Sequence, residues 1–195
     1  MDTTFLFISH PNVAIDHNVP VPRWPLCDIG RARMRQGLQQ PWVAGIGAIY
    51  CSTEQKAIDG AQILGQHLGL PWTEVAELGE NDRSATGFVP PAEFEQLADA
   101  FFAEPDVSVR GWERARDAQA RVVAAVARVA QRARSVRSVA IVSHGAVGTL
   151  LYCHLAGIAI DRRWDQPPNG GGNYYRFTLS PPAVAGGWQP IDAPV

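Results

Sequence analysis

Three short apolar runs stand out along the chain: "FLFIS" (5–9), "GAIYC" (47–51) and the first part of "SVAIVSHG" (138–145). Each is too short for a helix and has no alternation, so each predicts a strand buried on both faces. Between them, apolar positions recur at helical spacing. Asp28 reads as the N-cap of a helix over 29–39, and Ser52 or Thr53 as the cap of one over 54–69, with Ile58, Ala61, Ile63 and Leu64 facing inward. A short helix is predicted over 92–103, a long one over about 112–134 carrying Val122, Val126, Val129 and Ala133, and a last one over 146–157. "TEVA" (73–76) reads as a further strand, and "GGGNYYRFTLS" (170–180) as an edge strand after a glycine turn. Loops fill 11–28, rich in proline, and 79–91. Alternating strand and helix predict an α/β fold: a three-layer α/β/α sandwich with a mostly parallel central sheet, in one domain over 1–195.

That architecture gives meaning to two histidines. His10 and His144 each follow a serine at the carboxyl end of a predicted strand. In a parallel sheet those ends share one edge, where ligands bind. Two imidazoles facing one crevice suit metal binding or phosphoryl chemistry. Neither histidine has a ligand partner two to four residues on, which argues against metal. For phosphoryl transfer, a neutral His10 attacks phosphorus, while the second histidine and the backbone N–H groups of the following helix stabilise the oxygens.

Composition narrows the setting. A chain of 195 residues that is 46% hydrophobic can bury one core, and a net charge of -2 gives no global pull towards nucleic acid or membrane. Eight arginines lie between Arg110 and Arg137, but Glu113 and Asp117 among them mark a solvated helix face. Cys27, Cys51 and Cys153 are odd in number and far apart, as free thiols of a cytoplasmic protein would be. No signal peptide or membrane-spanning run is read. Lys56 is the single lysine among 17 basic residues.

Taken together, these residues resemble the histidine phosphatase superfamily, also called phosphoglycerate mutase-like. "FLFISHP" stands where that family has a strand ending in Arg-His-Gly. "PLCDIGRARM" (25–34), "IYCSTEQKAIDGAQIL" (49–64), "ELGENDR" (77–83) and "VAIVSHGAVGTLL" (139–151) are similar to its later segments and follow in the same order. The resemblance implies a phosphoglycerate mutase-like fold and a metal-independent phosphatase that needs no cofactor. His10 would be the phosphorylated nucleophile, Glu80 the general acid (Glu77 if the register slips) and His144 the second histidine of the phosphate pocket. Lys56 falls on the family's second arginine, and Asp16 where asparagine is frequent.

The departures matter as much. Ser9 replaces the first arginine and Pro11 the glycine. Pro11 keeps a carbonyl that can accept from the non-attacking nitrogen of His10. Losing one preorganised donor at Ser9 costs about 10²–10³ in rate unless something compensates. Arg23, between prolines in "PVPRWPL", is the first candidate, Arg83 the second, and His17 could face the pocket. The expected substrate is a small phosphorylated molecule. Mutase-type phosphotransfer, and a degenerate member that binds without turnover, are the alternatives. The aromatic residues Trp164, Tyr174 and Tyr175 suit a homodimer contact.

Overall fold

The computed structural model describes residues 3–194. Six strands form one sheet: β1 (Thr4–Ser9), β2 (Ala48–Cys51), β3 (Trp72–Glu74), β4 (Ser138–Ser143), β5 (Asn173–Leu179) and β6 (Pro182–Pro190), in spatial order β3-β2-β4-β1-β5-β6. The first four are mutually parallel; β5 and β6 run antiparallel. Five α-helices cover it: α1 (Asp28–Gly37), α2 (Gln55–Leu68), α3 (Pro91–Ala103), α4 (Ala115–Arg132) and α5 (Gly145–Leu155).

The apolar runs are buried on both faces, as their lack of alternation predicts. In β1, Phe5 and Phe7 point into one core with Val122, Val126 and Val129 of α4 and Val147 and Leu150 of α5. Leu6 and Ile8 point into the other, with Met34 of α1 and Ala57, Ala61 and Leu64 of α2. This is the three-layer arrangement. Within α2, Ala61 and Leu64 are fully buried, whereas Ile58 and Ile63 only flank the core.

Four local readings need correction. β5 is not an edge: it pairs with β1 on one side and β6 on the other. The edge is β6, whose prolines and glycines hide it in the sequence, yet a strand that begins and ends in proline suits an edge. Asp28 lies in the first turn of α1, with Cys27 as N-cap, so its carboxylate meets the positive end of the helix dipole instead of capping it. Similarly, α2 begins after Glu54, and Ser52 accepts from the Glu54 N–H at 3.2 Å. Tyr174 and Tyr175 are core residues, leaving Trp164 as the exposed member of the aromatic group considered for a dimer contact.

Two features set the site. β1 and β4 are adjacent and in register, Ser9 opposite Ser143, and the His10 N–H donates to the Ser143 carbonyl at 3.0 Å. The two histidines therefore leave the sheet side by side. Gly148 lets α5 lie close: a Cβ there would stand 2.5 Å from the Phe7 ring and 2.7 Å from Trp188. Among the described residues, no helix is long and apolar enough to cross a membrane.

Candidate active site

His10 and His144 meet edge to face, their ring centroids 5.2 Å apart. His10 Nδ1 lies 2.8 Å from the Pro11 carbonyl, so Nδ1 carries the proton and Nε2 the free lone pair. Proline thus serves in the glycine position because only a carbonyl is used. The His10 carbonyl accepts from the Gly172 N–H at 3.0 Å. Gly171 backs it at φ +78, and a Cβ there would fall 2.2 Å from the His10 oxygen. The glycine run read as a plain turn is therefore the floor of the nucleophile segment. Burial and the neighbouring Lys56 charge hold the His10 imidazole down at about 4 despite the Pro11 carbonyl.

His144 is fully buried and caps the start of α5. Its Nε2 lies 2.7 Å from Ser52 Oγ and 3.4 Å from Glu54, while Nδ1 has no partner among the described residues. Burial keeps it well below the ordinary histidine range, so it too is neutral.

Glu80 accepts from the N–H groups of Ala146 and Val147, at 3.3 and 3.1 Å, at the N-terminus of α5. Burial raises its carboxyl above the usual range against the pull of Arg83. That is the condition for a proton donor near neutral pH. Its loop is pinned by Arg121 of α4, which donates to the carbonyls of Glu77, Gly79 and Glu80 and pairs with Glu113 at 2.7 Å. One arginine of the basic helix therefore positions the loop. Glu77 turns outward to Arg128, at 2.8 Å, so of the two candidate acids only Glu80 is held at the start of α5, directly after His144.

Lys56 is 3% exposed, donating to the Val21 carbonyl at 2.9 Å and to Glu54 at 2.5 Å. Burial alone would raise the Glu54 carboxyl. The charge that His144 carries when protonated, the Lys56 ammonium and the Glu80 N–H at 2.9 Å bring it down to about 2. Glu54 and Ser52 escape a reading of sequence. The one available signal is that a lysine buried on a helix needs a counter-ion close by.

Ser9 is buried and its hydroxyl is engaged: it donates to Gln166 at 2.5 Å and accepts from the Asn173 N–H at 3.0 Å. Gln166 and Asn173 carry no sequence pattern that reveals this. Arg23 is exposed in the 3-10 turn Val21–Arg23, whose Val21 carbonyl accepts from Lys56, and it makes no ion pair among the described residues. Asp16 is exposed and accepts from the Asn18 N–H at 2.9 Å, closing a turn within the loop. His17 is exposed, with its ring 4.6 Å from that of Phe88. Arg83, three residues after Glu80, lays its guanidinium 5.1 Å from the Phe94 ring centroid and 5.6 Å from that of Trp112, and its charge lowers the pKa of His10, His144 and Glu80. No cluster of three or more metal-ligating side chains occurs among the described residues.

Because Ser9 is 0% exposed and spent on two partners, Ser9→Arg forces a long cation into filled space. The expected result is a loss of about 1–3 kcal/mol, read as a lower melting midpoint, with no gain in activity. An S9R variant of unchanged stability and higher activity would contradict this placement.

Comparison with known proteins identifies the family and the fold. The family model "Histidine phosphatase superfamily (branch 1)" matches residues 21–181. The chain belongs to the histidine phosphatase superfamily. Among solved structures, Bacillus stearothermophilus YhfR is 24% identical with a TM-score of 0.75, the match covering 94% of each chain. A mycobacterial glucosyl-3-phosphoglycerate phosphatase in complex with inorganic phosphate is 16% identical with a TM-score of 0.79, over 98% of this chain and 100% of that one. The α-ribazole phosphatase of Shigella flexneri is 16% identical at a TM-score of 0.71, over 98% and 96%. These likenesses establish a shared fold. No curated protein matches the chain.

Proposed function

We propose that the protein is a metal-independent phosphatase of a small phosphorylated molecule, acting through a phosphohistidine on His10. The observation that carries this is the hydrogen bond from His10 Nδ1 to the Pro11 carbonyl, which leaves Nε2 as a neutral nucleophile beside His144. Nε2 attacks phosphorus and the ester oxygen leaves, taking the proton of Glu80. Water then attacks the phosphohistidine, Glu80 takes its proton back, and inorganic phosphate departs. His144, edge to face with His10, stabilises the phosphoryl oxygens in both steps, while the Ala146 and Val147 N–H groups at the start of α5 hold Glu80 in place. Family membership supports the chemistry, and two similar structures are phosphatases by name.

The test is phosphate release from a panel of phosphomonoesters, including sugar phosphates and phosphoglycerate esters, with a chelator present. Turnover that the chelator leaves intact is expected. A catalytically degenerate member is favoured by one observation, the carboxylate of Glu54 on Lys56. It predicts phosphate binding with no turnover across the whole panel.

A further inference from the structure

We propose that Arg83 is the cation that grips the phosphoryl group, in the role left open by Ser9 and closed to Lys56 by Glu54. The inference rests on reading the crevice as a phosphoryl site. The donors inherited by position are largely spent. Ser9 faces Gln166 and Asn173. The Lys56 ammonium is buried against the Glu54 carboxylate at 2.5 Å and the Val21 carbonyl at 2.9 Å, with one N–H left and its charge cancelled. Both Glu54 oxygens sit among groups that would otherwise meet an anion: Oε2 on Lys56, Oε1 on the Glu80 N–H and 3.4 Å from His144 Nε2. The crevice thus holds an internal carboxylate, and a phosphate dianion needs a second, unpaired cation.

Arg83 meets that need. It lies three residues after Glu80 in the same loop, and it makes no side-chain hydrogen bond or ion pair to a described residue. Its guanidinium carbon stands 5.1 Å from the Phe94 ring centroid and 5.6 Å from that of Trp112. Trp112 is fixed in turn by donating Nε1–H to Thr86 Oγ1 at 2.9 Å. Aromatic faces orient a guanidinium without consuming its N–H groups, so the planar fork remains free for two phosphoryl oxygens. The charge of Arg83 disfavours the protonated forms of His10, His144 and Glu80 together, as a cation set near all three must.

The experiment measures binding of inorganic phosphate by calorimetry, alongside kcat/KM on the best panel substrate. The proteins are wild type, Arg83→Gln, Arg83→Lys, Glu54→Gln and the Glu54→Gln/Arg83→Gln double variant. Glutamine keeps a flat group on the aromatic faces and removes the charge. Phosphate affinity and kcat/KM are expected to fall by about 10²–10³ in R83Q, less in R83K. In E54Q, which frees Lys56, phosphate binds more tightly, and the double variant recovers part of the loss. An equal melting midpoint in R83Q locates the effect in the charge. Unchanged phosphate binding in R83Q, or a double variant no better than R83Q, would overturn the proposal. Turnover absent throughout, with Arg83-dependent phosphate binding intact, would instead sink the phosphatase reading and leave the role of Arg83 standing.

Discussion

Replacing His10 by alanine is expected to lower phosphate release by at least about 10⁴-fold, as loss of the nucleophile does in covalent catalysis. The fold should survive, because the side chain makes one local bond, to its neighbour's carbonyl, and lies outside both cores. A melting midpoint close to wild type separates lost chemistry from lost structure. The same imidazole fixes the acid limb of the pH profile. A histidine held at about 4 stays neutral through pH 5, where an exposed one near 6.5 is mostly protonated. Hence kcat/KM should hold as pH falls past 6.5 and drop only towards pH 4. Stability shifts over the same window: the unfolded chain takes up a proton near 6.5 that the folded site refuses until about 4, so folding weakens progressively as pH falls between those values. A kinetic break at 6.5 would contradict the buried, neutral His10.

Glu80→Gln is the second large effect. General-acid catalysis contributes about 10²–10⁴ in rate, and glutamine cannot deliver the proton. The loss in kcat/KM, which reports steps only through departure of the leaving group, should depend on that group: near the full amount for an alkyl phosphate, whose oxygen must be protonated, and small for p-nitrophenyl phosphate, whose phenolate leaves unaided. The carboxyl is raised by burial, so it supplies the acid form below its shifted value. In wild type kcat/KM therefore falls as pH rises through that value, and in E80Q this alkaline limb disappears. Equal losses on both substrates would assign Glu80 to capping α5 through Ala146 and Val147 and remove it from proton transfer.

The core of this arrangement is legible in the sequence because it follows from strand ends. "FLFIS" and "SVAIVS" can only be buried strands, and adjacent parallel strands deliver whatever follows them to one edge, which is how His10 and His144 meet. What sequence cannot show is the direction of a side chain. Ser9 is one residue from the nucleophile, yet it faces Gln166 from far along the chain. Arg23 is close to Lys56 through Val21 and still points to solvent. Arg83 comes in because two aromatic residues on later elements, Phe94 and Trp112, give it a surface to lie on. Glu54 is hidden for a related reason. Its role is electrostatic, and only the burial of Lys56 makes a counter-ion necessary. The edge strand β6 escapes because its glycines and prolines resemble a tail, and pairing with β5 outweighs their low strand propensity.

Phosphate is expected to pass through a covalent bond to His10 Nε2 on its way from substrate to water. The most direct measurement is rapid acid-free quenching of the enzyme with a turned-over substrate, followed by peptide mass spectrometry under alkaline conditions that preserve phosphohistidine. The account predicts one phosphoryl group on His10, absent from His10→Ala and accumulating in Glu80→Gln with p-nitrophenyl phosphate if water attack needs the same carboxylate. Turnover with no phosphoryl group on His10, or with the label on another residue, would contradict it.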